Sequence, residues 1–262
     1  MWSKIATAFA VTAGISQLTA AMPTPNGDSS DVKLVTDKDV FLSMWNMTEE
    51  YSVETDNKWV AVDTQFPVLL FKESSTTMYI SMNGLVSFTP PEDGCLSSSN
   101  RALPVGPSSD ASQDPSCIPQ NTVAAFWKDL WFPPNTIDLR VHWKLYDVVS
   151  GNDNRYRIEW RTCDKASSSD NVPTAPTLSG ASARAIQLSF YQSKPGLFYI
   201  NYSGGTAKHL REATIGAQSY PDFVQVADIP ESVTDATDVC VTLDTNKRTT
   251  EIVAQACQLP DL

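Results

Sequence analysis

Between residues 137 and 146 apolar and polar side chains alternate without a break. Ile137, Leu139, Val141, Trp143 and Leu145 are interleaved with Asp138, Arg140, His142, Lys144 and Tyr146. A period of two places one set on a buried face and the other in water, which predicts an amphipathic β-strand. Tyr156, Ile158 and Trp160 alternate with Arg157, Glu159 and Arg161 in the same way, after a turn at Ser150–Asn154. Shorter apolar runs recur at Phe66–Phe71, Met78–Ser81, Leu85–Phe88, Thr122–Trp131, Ala185–Gln192, Leu197–Tyr202, Ala213–Gln218, Phe223–Ala227 and Val239–Leu243. Thr249–Cys257 reads as either a short helix or a last strand. No helical period persists over three turns, and no internal repeat is present.

The breaks between runs carry turn chemistry. Met82-Asn83-Gly84 separates two runs with residues that tolerate positive φ. Lys194-Pro195-Gly196 fits a type II turn, with Pro then Gly at its central positions. Glu92–Cys117 and Asp164–Gly180 are rich in Ser and Pro and read as two long surface loops. Many short strands separated by turns predict an all-β fold, an antiparallel β-sandwich or jelly roll carrying those two loops.

Residues 1–21 change the picture of where the chain works. One early Lys4 precedes an uncharged, largely apolar run that ends in Thr19-Ala20-Ala21, the layout of a secretory signal peptide. The run is too short and too rich in Ala, Thr and Ser for a membrane span. Residues 22–38 then read as a flexible polar tail and 39–262 as a single β-sandwich domain. A soluble, secreted, extracellular product is expected. The formal net charge is −11, or −12 once Lys4 leaves with the signal. Such a surface repels nucleic acid and anionic lipid, so neither is an expected partner.

The five cysteines have no Cys-x-x-Cys spacing, so zinc and thioredoxin-like chemistry lack their signature. In an exported chain they read as disulfides. Cys95 with Cys117 fences a loop with little else to hold it, a closure worth about 3 kcal/mol. Cys240 with Cys257 is the second pairing, leaving Cys163 over. Other connectivities stay open at this point. Asn46 (Asn-Met-Thr) and Asn201 (Asn-Tyr-Ser) fit the N-glycan acceptor pattern. Asn201 should be exposed, since it alternates with Phe198, Ile200 and Tyr202.

Four segments in order resemble the nidogen-type extracellular domains. Tyr79-Ile-Ser-Met-Asn-Gly-Leu-Val-Ser-Phe88 is similar to their strand, Asn-Gly and aromatic segment. Asn121-Thr-Val-Ala-Ala-Phe-Trp-Lys-Asp-Leu130 resembles their apolar, Phe-Trp, Asp segment. Tyr156-Arg-Ile-Glu-Trp160 and Ala213-Thr-Ile-Gly216 resemble later strands. The likeness spans about residues 64–218, and the overall make-up resembles small secreted fungal proteins. The resemblance implies an adhesion or cell-surface sandwich without catalysis.

Catalytic signatures are sparse. Only two histidines occur, His142 and His209, and neither Gly-x-Ser-x-Gly nor His-Glu-x-x-His is present. No catalytic residue, metal ligand or cofactor is assigned. Asp129, among aromatics, reads either as a carboxyl raised by burial or as the pin of a turn. Asn152, Asp153 and Asn154 read as calcium ligands or as a polar hairpin turn. Trp127 and Trp131 read as core or as the lining of a sugar groove; Trp143 and Trp160 read as core.

The two amphipathic strands carry the sharpest candidate site. Paired as a hairpin with apolar opposite apolar, they place Leu145 opposite Trp160 and Lys144 opposite Arg161. Arg140, His142, Lys144, Arg157 and Arg161 then gather on one wet face beside Glu159. The functional reading is a ligand-binding patch for an anionic glycan or an extracellular protein; the alternative is an ordinary solvated sheet face. His142 would make its charge depend on mild acid. The expected function is a secreted, non-catalytic module that binds an extracellular glycan or protein surface. The alternatives are a secreted polysaccharide-active enzyme using Asp129 or Glu159 as acid, and a ligand-free wall or surface protein.

Overall fold

The computed structural model describes residues 42–43, 57–107, 114–131, 140–146, 153–164, 184–203 and 205–258. All of them belong to one compact unit, Asp37–Leu262. The signal peptide, the predicted tail, Asn46, residues 108–113 of the first long loop, Asn152 and the Asp164–Gly180 loop beyond its first residue lie outside the described residues, as do the side chains of Trp131, Arg140, His142, Trp143 and Lys144.

The chain folds as an all-β antiparallel sandwich of two sheets. One sheet is built from β2 (Trp59–Leu70), β3 (Glu73–Ser81), β4 (Leu85–Ser87), β5 (Asn121–Trp127), β11 (Thr214–Ser219) and β12 (Asp222–Gln225). Its order is β12-β11-β5-β4-β3-β2. The other contains β1 (Leu42–Ser43), β7 (Arg140–Tyr146), β8 (Arg155–Asp164), β9 (Arg184–Tyr191), β10 (Leu197–Ser203), β13 (Val239–Asp244) and β14 (Thr249–Val253). They follow the order β1-β7-β8-β9-β10-β13-β14, and β6 (Leu130–Trp131) adds to β8. The open choice at Thr249 is thus settled as a strand, and the Thr122–Trp131 run divides into β5 and β6. A 3-10 helix at Thr206–Glu212 and the helix α1 at Glu231–Thr234 are too short to show a helical period in sequence.

The alternating residues of both sheets meet in one core. Phe66, Met78, Ile80 and Val123 come from the first sheet, and Ile158, Trp160, Leu188, Phe198 and Val241 from the second. Polar side chains also cross between the sheets. Trp160 Nε1 donates to the Ser81 carbonyl at 2.8 Å. The Tyr202 hydroxyl donates to the Ala125 carbonyl at 2.5 Å, and the Gln65 N–H donates to the Tyr156 hydroxyl at 3.0 Å. Burial pushes the Tyr202 phenol well above its ordinary value, which keeps it a neutral donor.

Strand β2 starts seven residues before the apolar run at Phe66 (66 − 59 = 7). Pro67 falls where the β2–β3 register shifts, on an edge strand. An edge and a bulge are the two places where a sheet accepts proline.

Both turns form as the residues require. Gly84 has φ +74°, and a side chain there would press against the Phe126 carbonyl oxygen at 2.2 Å. Gly196 has φ +81°, with the Leu197 N–H donating to the Lys194 carbonyl at 3.2 Å, as a type II turn demands. Asn83 does something the turn alone does not require. It is fully buried. Its amide donates to Asn57 Oδ1 at 2.8 Å and to the Leu96 carbonyl at 3.2 Å, and it accepts from the Leu130 N–H at 3.2 Å.

The described part of the Glu92–Cys117 segment has no strand or helix, yet it is not merely surface. Leu103 and Val105 are buried with Leu85, Ile118, Ala124 and Trp127 in a second, smaller cluster. The Gln218 amide clamps Val105 from both sides: Oε1 accepts from its N–H at 2.8 Å and Nε2 donates to its carbonyl at 3.1 Å. The disulfide Cys95–Cys117 closes this segment, and Cys240–Cys257 ties the C-terminal stretch to β13.

Candidate functional site

Strands β7 and β8 pair antiparallel, and Val141, Ile158 and Trp160 are buried as the alternation dictates. The register differs from the expected one by four residues. Leu145 stands opposite Tyr156, not Trp160, and Lys144 opposite Arg157, not Arg161. A shift by an even number leaves apolar opposite apolar, so patterning fixes the face and not the slide. The observed slide pairs all seven residues of β7.

This register still groups the cationic positions. Arg140 lies opposite Arg161, His142 opposite Glu159, and Lys144 opposite Arg157. Residues directly opposite in an antiparallel pair share a face. Five of the predicted site residues, Arg140, His142, Lys144, Arg157 and Arg161, therefore fall in three consecutive rows of the outer face. The next row adds Arg155, opposite Tyr146 on β7 and Tyr191 on β9.

Glu159 sits at the centre of the group and is buried, with its side chain 5% exposed. Arg161 Nε donates to Oε1 at 2.5 Å, and Arg157 Nη2 donates to Oε2 at 2.9 Å. Gln187 Nε2, from the adjoining strand β9, donates to the same Oε2 at 3.1 Å. Both carboxylate oxygens are thus committed to fixing two guanidinium groups, rather than being open to a substrate. The arginines keep solvent access, with 28% of the Arg157 and 47% of the Arg161 side chain exposed. Among the described side chains, two guanidinium groups are thus held in place by one internal counter-ion.

Beyond this array the same face turns aromatic. Arg155 is buried, its guanidinium 5.8 Å from the centre of the Tyr191 ring, and Nη1 donates to the Tyr191 hydroxyl at 3.4 Å. Lys194 reaches over the Tyr191 and Tyr199 rings at 5.9 and 6.0 Å. Burial, and after it the nearby Asp244, push the Tyr199 phenol above its ordinary value. Cation–ring contacts at such distances are attractive. Arg155 and Lys194 extend the cationic group and were not among the predicted residues. Arg155 was within reach of the sequence, because it precedes Arg157 by two on the same strand.

The other candidates resolve individually. Trp127 is fully buried and donates from Nε1 to the Ser97 carbonyl at 2.9 Å, so it is core and lines no groove. Asp129 is half-buried in the short link between β5 and β6. The Asp153 carboxylate accepts from the Ser193 N–H at 2.8 Å and the Ser193 hydroxyl at 2.5 Å, tying two neighbouring turns together. Asn154 supports the same tie through Gln192 at 2.7 Å. Among the described residues no group of three or more His, Cys, Asp or Glu could hold a metal ion. Among them, too, no helix is long and apolar enough to cross a membrane. Asn201 faces outward as its alternation requires, half-buried between the buried Ile200 and Tyr202. No protein-family model, curated protein or solved structure matches the chain.

Proposed function

We propose that this protein is an exported, non-catalytic β-sandwich module, and that the outer face of β7 and β8 binds an anionic extracellular glycan. The observation that carries this reading is the β7–β8 register. It aligns Arg140 with Arg161 and Lys144 with Arg157 on a chain of net charge −11. A cationic array on an acidic body selects one anionic partner and repels others. Arginine suits carboxylate and sulfate groups because its planar fork can donate two hydrogen bonds at once. Two disulfides are compatible with an oxidising compartment. The likeness of four segments to nidogen-type domains supports a binding role outside the cell. An acidic protein loop offers the same chemistry and is the second partner to test.

The test is a salt-gradient binding assay on immobilised polygalacturonate and on a sulfated glycan. The parent should be retained and should elute as salt shortens the screening length below about 8 Å. The double variant R140S/K144S keeps Glu159, Arg157, Arg161 and Gln187 in place and should lose most retention without unfolding. Equal retention of parent and double variant would sink the proposal. Failure of both glycans alongside salt-sensitive capture of an acidic peptide would move it to a protein partner.

A further inference from the structure

Asn201 lies on β10, flanked by β9 and β13, with Gln187 on one side and Cys240 on the other. The Cys257 N–H donates to Asn201 Oδ1 at 3.0 Å, and Cys257 is itself bonded to Cys240. Because the partner is an N–H donor, the amide oxygen must point at it, and Nδ2 is turned the other way. A glycan on Nδ2 leaves that oxygen free to accept, so the folded structure is compatible with one. The folded structure is not compatible with adding one. Tyr202, the middle residue of the Asn-Tyr-Ser acceptor, is fully buried, and its backbone pairs with Ile186 and Val239 on the two flanking strands.

We infer that Asn201 is an N-glycan acceptor modified before β13 joins β10, and that closure of the Cys240–Cys257 disulfide over it ends the period of access. Strand β13 begins 38 residues after Asn201 in the chain (239 − 201 = 38), so an emerging chain exposes the acceptor before its second neighbour exists. The donor is a lipid-linked oligosaccharide pyrophosphate. Its C1–O bond breaks and a C1–Nδ2 bond forms. Nδ2 gives up one proton, and the lipid pyrophosphate leaves with the bonding pair. The sugar then stands in the same row as Gln187 and Glu159, about 10 Å from β8 at two strand spacings. It would thus border the cationic face. The inference does not depend on what that face binds.

The experiment expresses the full chain in a eukaryotic secretory host and measures occupancy at Asn201 by peptide mass spectrometry before and after glycosidase. Asn201 should carry a glycan on at least part of the population, and C240S/C257S should raise that fraction. The control C95S/C117S, which opens the other disulfide, should leave it unchanged. An unmodified Asn201 in the parent and in C240S/C257S overturns the assignment, whether or not Asn46 is occupied. Equal occupancy in parent and C240S/C257S, or an equal rise in C95S/C117S, overturns the control by disulfide closure.

Discussion

Replacing Glu159 by Gln should move stability and ligand binding in opposite directions. The substitution keeps the size of the side chain and removes its charge. Three donors converge on the carboxylate at 2.5, 2.9 and 3.1 Å. Hydrogen bonds to a charged group contribute about 1.5–3 kcal/mol each when fully desolvated. Arg161 is 47% exposed and Arg157 28%, so water screens much of that value. Gln also retains one acceptor oxygen. A net loss of about 2 kcal/mol follows, which for a folded body of this size lowers Tm by about 4–8 °C. The same change removes the only carboxylate bonded to these arginines among the described residues. One more unbalanced positive charge about 4 Å from an anionic group is worth about 1 kcal/mol in water, or about fivefold in affinity.

Thermal denaturation and calorimetric titration with a soluble polyuronate at low salt would read both effects. A variant that melts earlier and binds more tightly fits a cationic face held by an internal counter-ion. One that melts earlier and binds more weakly would show that arginine positioning outweighs charge. An unchanged Tm would refute the network as a stabilising feature. Performing the titration well below both melting transitions keeps the two readouts separate.

Other perturbations test different parts of the fold. Asn83→Ala removes three hydrogen bonds at a fully buried site and should cost about 3 kcal/mol, measured by urea denaturation; a loss under 1 kcal/mol would deny Asn83 its bracketing role. Thiol counting on the denatured, unreduced chain should find one free thiol, Cys163, and five after reduction. Opening either disulfide should cost about 3 kcal/mol, and a count of three thiols before reduction would overturn the pairing. Acid should destabilise the fold partly through Glu212 and Asp244. Burial raises both carboxyls, but Lys128 and His209 at Glu212, and Lys247 and Asn246 at Asp244, more than offset it and hold both below their ordinary values. Stability from these groups is present above the ordinary values of 4.5 and 3.8 and is lost below them, as pH falls through the depressed folded values. E212Q/D244N should therefore flatten the stability profile below about pH 4.5, and an unaltered acid limb would deny them that share.

The strands were legible because their information is local. Alternation in β7, β8 and β10 needs nothing beyond a period of two, and it places Ile158, Trp160, Ile200 and Tyr202 in the core where they are found. Gly84 and Gly196 were legible for the same reason, since positive φ is a property of one residue. What escaped the sequence is contact between distant segments. Gln218 is an ordinary polar strand residue until the chain more than a hundred positions earlier folds back to be clamped by it. Asn83 reads as a turn residue, and only the fold shows its amide bridging Asn57, Leu96 and Leu130.

Glu159 lies between these cases. Arg157-x-Glu159-x-Arg161 on one strand already puts the carboxylate between two guanidinium groups, because residues two apart share a face. Its ion pairs were therefore within reach of the sequence. Its burial was not, since Gln187, 28 positions further along the chain, completes the enclosure from β9. The slide of β7 along β8 was hidden for a related reason: every even register satisfies the same alternation. The observed register uses the whole of β7 and sets two cationic pairs of positions on either side of one carboxylate. The grouping of cationic positions is thus a consequence of that register acting on a charge pattern, and R140S/K144S separates its chemical use from that structural origin.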